Sequence, residues 1–359
     1  MSEYKIRPYS PRDRGGFLSL YSAVMGEKKQ ERWFDWKYAE NPYTDHVAML
    51  VGVCEGTIVG ARPLFALPVS INGEDEVALQ PGDTMVHPDH RRNGLFTRMT
   101  EQAIERYTDE HPFFFNFPNH RSRRGYLKLD WETVSERSSY YRIEPPERVG
   151  TSLSDRTAIE LLSKLSSPIA QGYYLFRDVT ASVPTQPHIR AESEPPVAEL
   201  ATLYRTATPD TIHVLRNEQF YQWRFNNPDW EYTTYLLDGE TNPEAAIVTG
   251  TSATEDQSTT KFVDVLPLEN ASKVALKGLL SQILADHTET DLFVAPSQGI
   301  PDSVLRAFGF HADTVPPFSL LTTQTTHVVR SLTDSWTQNE LQIADPDSWH
   351  MTLVEKDTT

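Results

Sequence analysis

The sequence predicts an α+β chain of two tandem units, each a mixed, mostly antiparallel sheet flanked by helices. Three observations carry this. Apolar runs at His46 to Cys54, Ile58 to Val69 and Val77 to Val86 are separated by the turn signals Glu55-Gly56 and Asn72-Gly73-Glu74-Asp75, the pattern of an antiparallel meander. Directly afterwards Leu95, Phe96, Met99, Ala103 and Tyr107 recur at three- and four-residue steps, one buried helix face. A weak internal echo, offset by roughly 180 residues, then points to duplication of one unit.

Length agrees with two units, since 359 residues exceed twice the prior of about 150 residues per domain. Fifty acidic against thirty-three basic residues give a formal charge of −17, which argues against nucleic acid or an anionic membrane as partner. Only ten of the basic residues are lysines, so the surface resembles the acidic, halophile-like surface of salt-adapted proteins; an ordinary acidic cytosolic protein is the other reading. Cys54 is the single cysteine, which excludes an intramolecular disulfide and a cysteine metal cage. No run reaches the roughly 18 apolar residues of a spanning helix and no secretory leader follows Met1, so a cytoplasmic, membrane-free protein is expected.

The elements follow in order. Tyr4 to Tyr9 reads as a strand, and Ser10-Pro11-Arg12-Asp13 opens a helix through Tyr21. A helix with Trp33, Trp36 and Tyr38 ends at Asn41-Pro42. After the meander and the Leu95 helix, Phe113 to Phe117 is a compact strand, and a short helix around Arg123 to Leu129 leads into Trp131. Prolines 145, 146, 184, 187, 195 and 196 break residues 144 to 198 into connecting segments, with one helix at Asp155 to Leu165. The units are therefore expected at 1–145 and 146–359, the second including the linker and a C-terminal tail. The echo lies beyond: Phe34 to Pro42 is answered by Tyr221 to Pro228, the Leu95 helix by one with Leu276, Leu280 and Ile283, and Tyr126 to Trp131 by Leu305 to Phe310.

Chemistry concentrates in Thr84-Met85-Val86-His87-Pro88-Asp89-His90-Arg91-Arg92-Asn93-Gly94-Leu95-Phe96-Thr97. A strand ends, and a basic, glycine-containing turn runs straight into an amphipathic helix. The first turn of a helix leaves backbone N–H groups unpaired, and the dipole favours an anion there. Hydrogen bonds to a charged group contribute about 1.5 to 3 kcal/mol each, so three or four suffice to anchor a diphosphate. A plain strand–loop–helix connection with solvated arginines fits the same residues. No histidine pair has metal-ligand spacing, so no metal is expected, and no Gly-x-Ser-x-Gly elbow or phosphate-binding Gly-Lys-Ser/Thr is present.

With Val86, Pro88, Arg91 and Gly94 so spaced, the segment resembles the acyl-coenzyme A loop of the GNAT N-acyltransferases. Phe96 stands where that family keeps a small residue. Asn116-Phe117-Pro118-Asn119 and Gly125 to Trp131 resemble its fifth strand and fourth helix, with Asp130 in place of a glycine. The tandem arrangement, with a second unit lacking an Arg-x-x-Gly turn, resembles the enhanced intracellular survival acetyltransferases without their sterol-carrier domain.

The resemblance implies acetyl-CoA as co-substrate, held by Met85, Val86, Arg91, Arg92, Asn93, Gly94, Leu95, Phe96, Thr97 and Asn119. It implies that the Val86 N–H polarises the thioester carbonyl and that Tyr126 protonates the departing thiolate. Asp83, three residues before Val86, is the candidate base if a bulge brings it to the same face; Gln80, Glu132 and the C-terminal carboxylate stay open. Tyr126 also fits a packing role, and Asn119 a turn. Arg121, Arg123 and Arg124 fit either a phosphate grip or a solvated face. The implied activity is N-acetylation of a small primary amine, an amino sugar or amino acid derivative; a CoA-binding sensor or scaffold and an aminoacyl or peptidyl transferase are the alternatives. The acceptor and the oligomeric state, a homo-oligomer included, are not legible.

Overall fold

The computed structural model describes residues 3–144, 188–254, 257–316, 318–320 and 324–357. β1 (Tyr4–Pro8) leads through a 3-10 turn at Pro11–Asp13 into α1 (Arg14–Met25). Asp13 fixes that entry: its carboxylate accepts from the Ser10 N–H at 2.8 Å and from both Arg7 terminal nitrogens at 2.6 and 2.8 Å. The aromatic stretch that reads as one helix is two, α2 (Glu31–Phe34) and a π-helical turn over Asp35–Ala39. The turn buries the consecutive side chains of Trp36, Lys37 and Tyr38, which no single α-helical face accommodates.

The meander forms as β2 (Met49–Cys54), β3 (Thr57–Ile71) and β4 (Glu74–Pro81). The run expected to continue to Val86 breaks at Gly82 and resumes as β5 (Met85–Val86). Leu64 pairs with Pro81 and Ala61 with Met85, so two residues of β3 face three of the opposing strand. The extra residue is a β-bulge, and Asp83 takes φ +43° within it. α3 (Leu95–Tyr107), β6 (Phe113–Asn116), α4 (His120–Leu127), β7 (Glu132–Arg137) and β8 (Ser139–Ile143) follow. The helix expected at Asp155 to Leu165 lies outside the described residues.

The second half repeats the pattern with β9 (Ile189–Glu192), β10 (His213–Val214), β11 (Glu231–Asp238), β12 (Pro243–Ala253), β13 (Ser258–Leu266), β14 (Leu292–Pro296), β15 (His311–Ala312) and β16 (Thr325–Ser331). Among the described residues the main path of the first sheet runs β1-β2-β3-β4-β6-β16-β7, and the second runs β9-β11-β12-β13-β14-β8-β15. The two orders correspond position by position. In each, one parallel pair, β4–β6 or β13–β14, interrupts an otherwise antiparallel ladder. Sheet membership crosses the 145/146 division: β8 adds to β14 of the second sheet, and β16 inserts between β6 and β7 of the first. Each unit thus completes its sheet with a strand from the other half of the chain.

α1 and the Trp33–Tyr38 segment cover one face of the first sheet in a core that continues into Leu236, Val248 and Val263 of the second. α3 and α4 cover the other face, around Leu64, Phe114, Tyr126 and Trp131. The helices Lys273–Asp286 and Asp302–Ala307 cover the outer face of the second sheet. No helix among the described residues is long and apolar enough to cross a membrane.

Candidate functional site

β4 and β6 run parallel and pair at Leu79 and Phe114, after which β4 enters its bulge and β5 follows β3 instead. The two strands therefore part, opening a gap. The His87 N–H donates to the Val59 carbonyl at 2.9 Å. By antiparallel alternation this turns the N–H and C=O of Val86 away from β3, toward the gap. The Val86 carbonyl accepts from Arg91 Nε at 3.1 Å, which ties the following loop to the strand end.

Pro88–His90 makes one 3-10 turn, and the chain reaches α3 through two left-handed residues, Arg92 (φ +65°) and Gly94 (φ +74°). The Arg98 N–H reaches the Gly94 carbonyl at 3.0 Å, so the N–H groups of Leu95, Phe96 and Thr97 precede the intrahelical ladder. Asn93 braces the loop through Nδ2, which donates to the Tyr4 hydroxyl and the His90 carbonyl, both at 3.1 Å. Leu95 and Met85 are buried in the core, so only their backbone faces the opening. A cleft of about 540 Å³ lies here, lined among others by Met85, Val86, Arg91, Arg92, Gly94 and Asn119. A Cβ added to Gly94 would meet nothing within 4 Å; it would project into open space.

Phe96 and Asn119 both have packing roles beside the cleft. Phe96 lies against Gly125, whose missing side chain makes room: a Cβ there would come within 2.7 Å of the ring. Asn119 caps α4, its Oδ1 accepting from the Ser122 N–H at 3.0 Å, while also lining the cleft. Of the arginine cluster, Arg123 pairs with Glu136 at 2.9 Å on the surface.

Tyr126 is buried between Phe96 and Trp131, and its hydroxyl accepts from Asn116 Nδ2 at 2.7 Å. Beside it lies Arg62, fully buried, with Nη1 3.5 Å from the Tyr126 hydroxyl and 3.3 Å from Thr84 Oγ1. No motif singles out Arg62; its signal in the sequence is a lone charge inside the apolar run Ile58 to Val69.

Asp83 projects from the bulge into a compact ionic group. Its Oδ2 accepts from the Tyr38 hydroxyl at 2.6 Å and Lys37 Nζ at 2.7 Å. Lys37 also reaches Asp357 Oδ2 at 3.1 Å. Burial works to lower the Lys37 pKa, but the carboxylates of Asp357 and Asp83 raise it above the usual lysine value. Burial, and then Asp83, push the Tyr38 hydroxyl well above its ordinary range. Gln80 clamps the C-terminal segment, donating to the Glu355 carbonyl at 3.0 Å and accepting from the Asp357 N–H at 2.8 Å. Both polar atoms of Gln80 are thus committed, while Glu132 is exposed on β7.

The equivalent corner of the second unit holds a cleft of about 360 Å³ lined by Asn270, Gly299 and Asp302 among others, with no arginine. Leu305, the counterpart of Tyr126, is fully buried. Among the described residues no group of three or more His, Cys, Asp or Glu side chains is placed to hold a metal ion.

Residues 5–134 match the family described as acetyltransferase (GNAT) domain. No curated protein matches the sequence significantly. Among solved structures, the chain is similar to a GCN5-related N-acetyltransferase from Anabaena variabilis at 13% identity and TM-score 0.59, covering 92% of this chain and 73% of that one. It is similar to a probable N-acyltransferase from Enterococcus faecalis at 10% identity and TM-score 0.63, with the same coverages. It is also similar to Eis1 from Mycobacterium abscessus at 12% identity and TM-score 0.53, covering 92% and 74%. Likeness at these identities establishes a shared fold.

Proposed function

We propose, from the match of residues 5–134 to the acetyltransferase (GNAT) domain family, that the chain is an acetyl-CoA-dependent N-acetyltransferase acting on the primary amine of a small molecule, an amino sugar or amino acid derivative. The carrying observation is the open, basic, Gly94-led start of α3 beside the gap between β5 and β6. In this reading the diphosphate of CoA lies on the N–H groups of the α3 start, with Arg91 and Arg92 adding charge. The pantetheine arm enters the gap and pairs with strand backbone. The thioester carbonyl meets the Val86 N–H, which stabilises the oxyanion formed when the amine attacks.

The amine attacks in a ternary complex, the C–S bond breaks, and Tyr126 gives its hydroxyl proton to sulfur. Asp83 takes the amine's proton through Oδ1, directly or by way of water; that atom accepts no hydrogen bond among the described residues. Carboxylates outnumber lysines nearby: Lys29 sits between Glu27 at 3.2 Å and Asp229 at 2.7 Å, and Lys37 between Asp83 and Asp357. This surplus favours a cationic acceptor.

The test is thiol release from acetyl-CoA over a panel of amino sugars and amino acid derivatives, with mass spectrometry of the product. Amine-dependent release with acetylated product supports the proposal. Tight acetyl-CoA binding without release identifies a sensor, and turnover only with an aminoacyl-tRNA donor identifies the third reading.

A further inference from the structure

Arg62 carries a guanidinium with no exposed surface, and its hydrogen-bond partners among the described residues are hydroxyls and not carboxylates. Its Nη1 makes two long contacts, to Thr84 Oγ1 at 3.3 Å and the Tyr126 hydroxyl at 3.5 Å, while Nε and Nη2 are buried without a partner. The rings of Phe96 and Tyr126 flank it, each with its centroid 5.1 Å from the guanidinium carbon. A buried, uncompensated charge is costly, and aromatic faces offset little of that cost. An anion formed beside it at another stage of the working cycle would offset that cost.

Position says which anion. Arg62 lies on β3 opposite the bulge, where the ladder passes from β4 to β5 and the gap opens. Leu64 and Ala66, two and four residues on, belong to the core under α3 and α4, so Arg62 faces the same helices. Its closest hydroxyls are those of Thr84, which lines the cleft, and Tyr126.

We propose that Arg62 is a positioning residue that compensates the phenolate of Tyr126 during acyl transfer; this rests on the function proposed above. As the amine nitrogen bonds to the thioester carbon, the C–S bond breaks and its electron pair stays on sulfur. The Tyr126 O–H bond then breaks, its proton goes to sulfur, and the electron pair remains on the phenolic oxygen beside Arg62 Nη1. The proton released by the acylated nitrogen passes to Asp83 or water, and the phenolate is reprotonated from solvent. Amine and thioester give amide and thiol.

The experiment is a double-mutant cycle between Arg62→Met and Tyr126→Phe, read as kcat for thiol release and Kd for CoA by calorimetry. Arg62→Gln serves as a second neutral variant should the methionine variant not fold, and Arg62→Lys restores the charge. The expected result is a fall in kcat of tenfold or more in either neutral variant, a CoA Kd within twofold of wild type, and partial recovery with lysine. In the Tyr126→Phe background, removing Arg62 should cost less than a further twofold. A neutral variant with wild-type kcat overturns the assignment of Arg62 alone, as does an equal loss with and without the Tyr126 hydroxyl. A wild-type chain that releases no thiol with any amine of the panel overturns both the assignment and the transferase reading.

Discussion

Trp36 and Trp223 hold each other by a reciprocal pair of hydrogen bonds: the indole N–H of each donates to the backbone carbonyl of the other, both at 2.9 Å. Their rings stack with centroids 6.2 Å apart. They occupy equivalent places in the two echoed segments, Phe34 to Pro42 and Tyr221 to Pro228, so the units meet about a local two-fold relationship. Replacing either by Phe removes one of these buried hydrogen bonds and part of the ring, a cost of about 1 to 3 kcal/mol, although the Trp223 carbonyl still accepts from the Asn226 N–H at 3.1 Å. Denaturant unfolding of both single variants and the double variant checks this; changes below about 0.5 kcal/mol in both singles would contradict it.

Gly94 separates binding from folding. Its left-handed φ makes any other residue strained, yet nothing lies where a Cβ would go. Gly94→Val is therefore expected to lower stability by only about 1 to 2 kcal/mol. CoA affinity should fall at least tenfold, because the added side chain occupies the space beside the α3 amides. Calorimetry of CoA binding alongside thermal unfolding distinguishes the two effects, and unchanged affinity would remove this loop from the site.

Lys37 neutralises two carboxylates that the fold brings together from residues 83 and 357. Lys37→Met leaves both without their cation and is expected to destabilise by about 3 to 5 kcal/mol. Asp357→Asn leaves the Lys37–Asp83 pair intact and should cost less than half as much. The reverse ranking in urea unfolding would contradict the observed network.

The buried His213 and the half-buried His350 set an acid limit to stability. Burial, and next Arg216, lower the pKa of His213 and of His350 to about 4. His213 accepts at Nε2 from the Tyr204 hydroxyl and donates from Nδ1 to the Thr211 carbonyl, both at 2.8 Å, which suits the neutral ring. With folded values below the unfolded value near 6.5, these rings bind protons more readily in the unfolded chain. Their contribution is whole above about pH 6.5 and disappears as pH falls toward 4. By pH 5 each removes roughly 2 kcal/mol. Unfolding measured at pH 7 and pH 5 should show the drop, and His213→Gln should flatten it; equal stability at both pH values would refute it.

The meander and α3 were legible because alternation and three-to-four spacing are local properties. The turn from Arg91 to Gly94 was legible because a left-handed residue before a helix demands a particular residue type. The exchange of β8 and β16 was not, since a strand's sequence reports which side is buried but not which sheet edge it joins. The π turn at Asp35–Ala39 was hidden by a pattern that passes for an ordinary helix. Asp357 meets Lys37 across 320 positions, a contact no motif announces. Arg62 stood in plain view as a charge inside an apolar strand.

The most direct measurement is a crystal structure with acetyl-CoA bound. The account predicts diphosphate oxygens within hydrogen-bond reach of the amides following Gly94, the acetyl carbonyl on the Val86 N–H, and sulfur beside the Tyr126 hydroxyl. A coenzyme bound elsewhere, or that corner filled by the Phe96 ring, would contradict it.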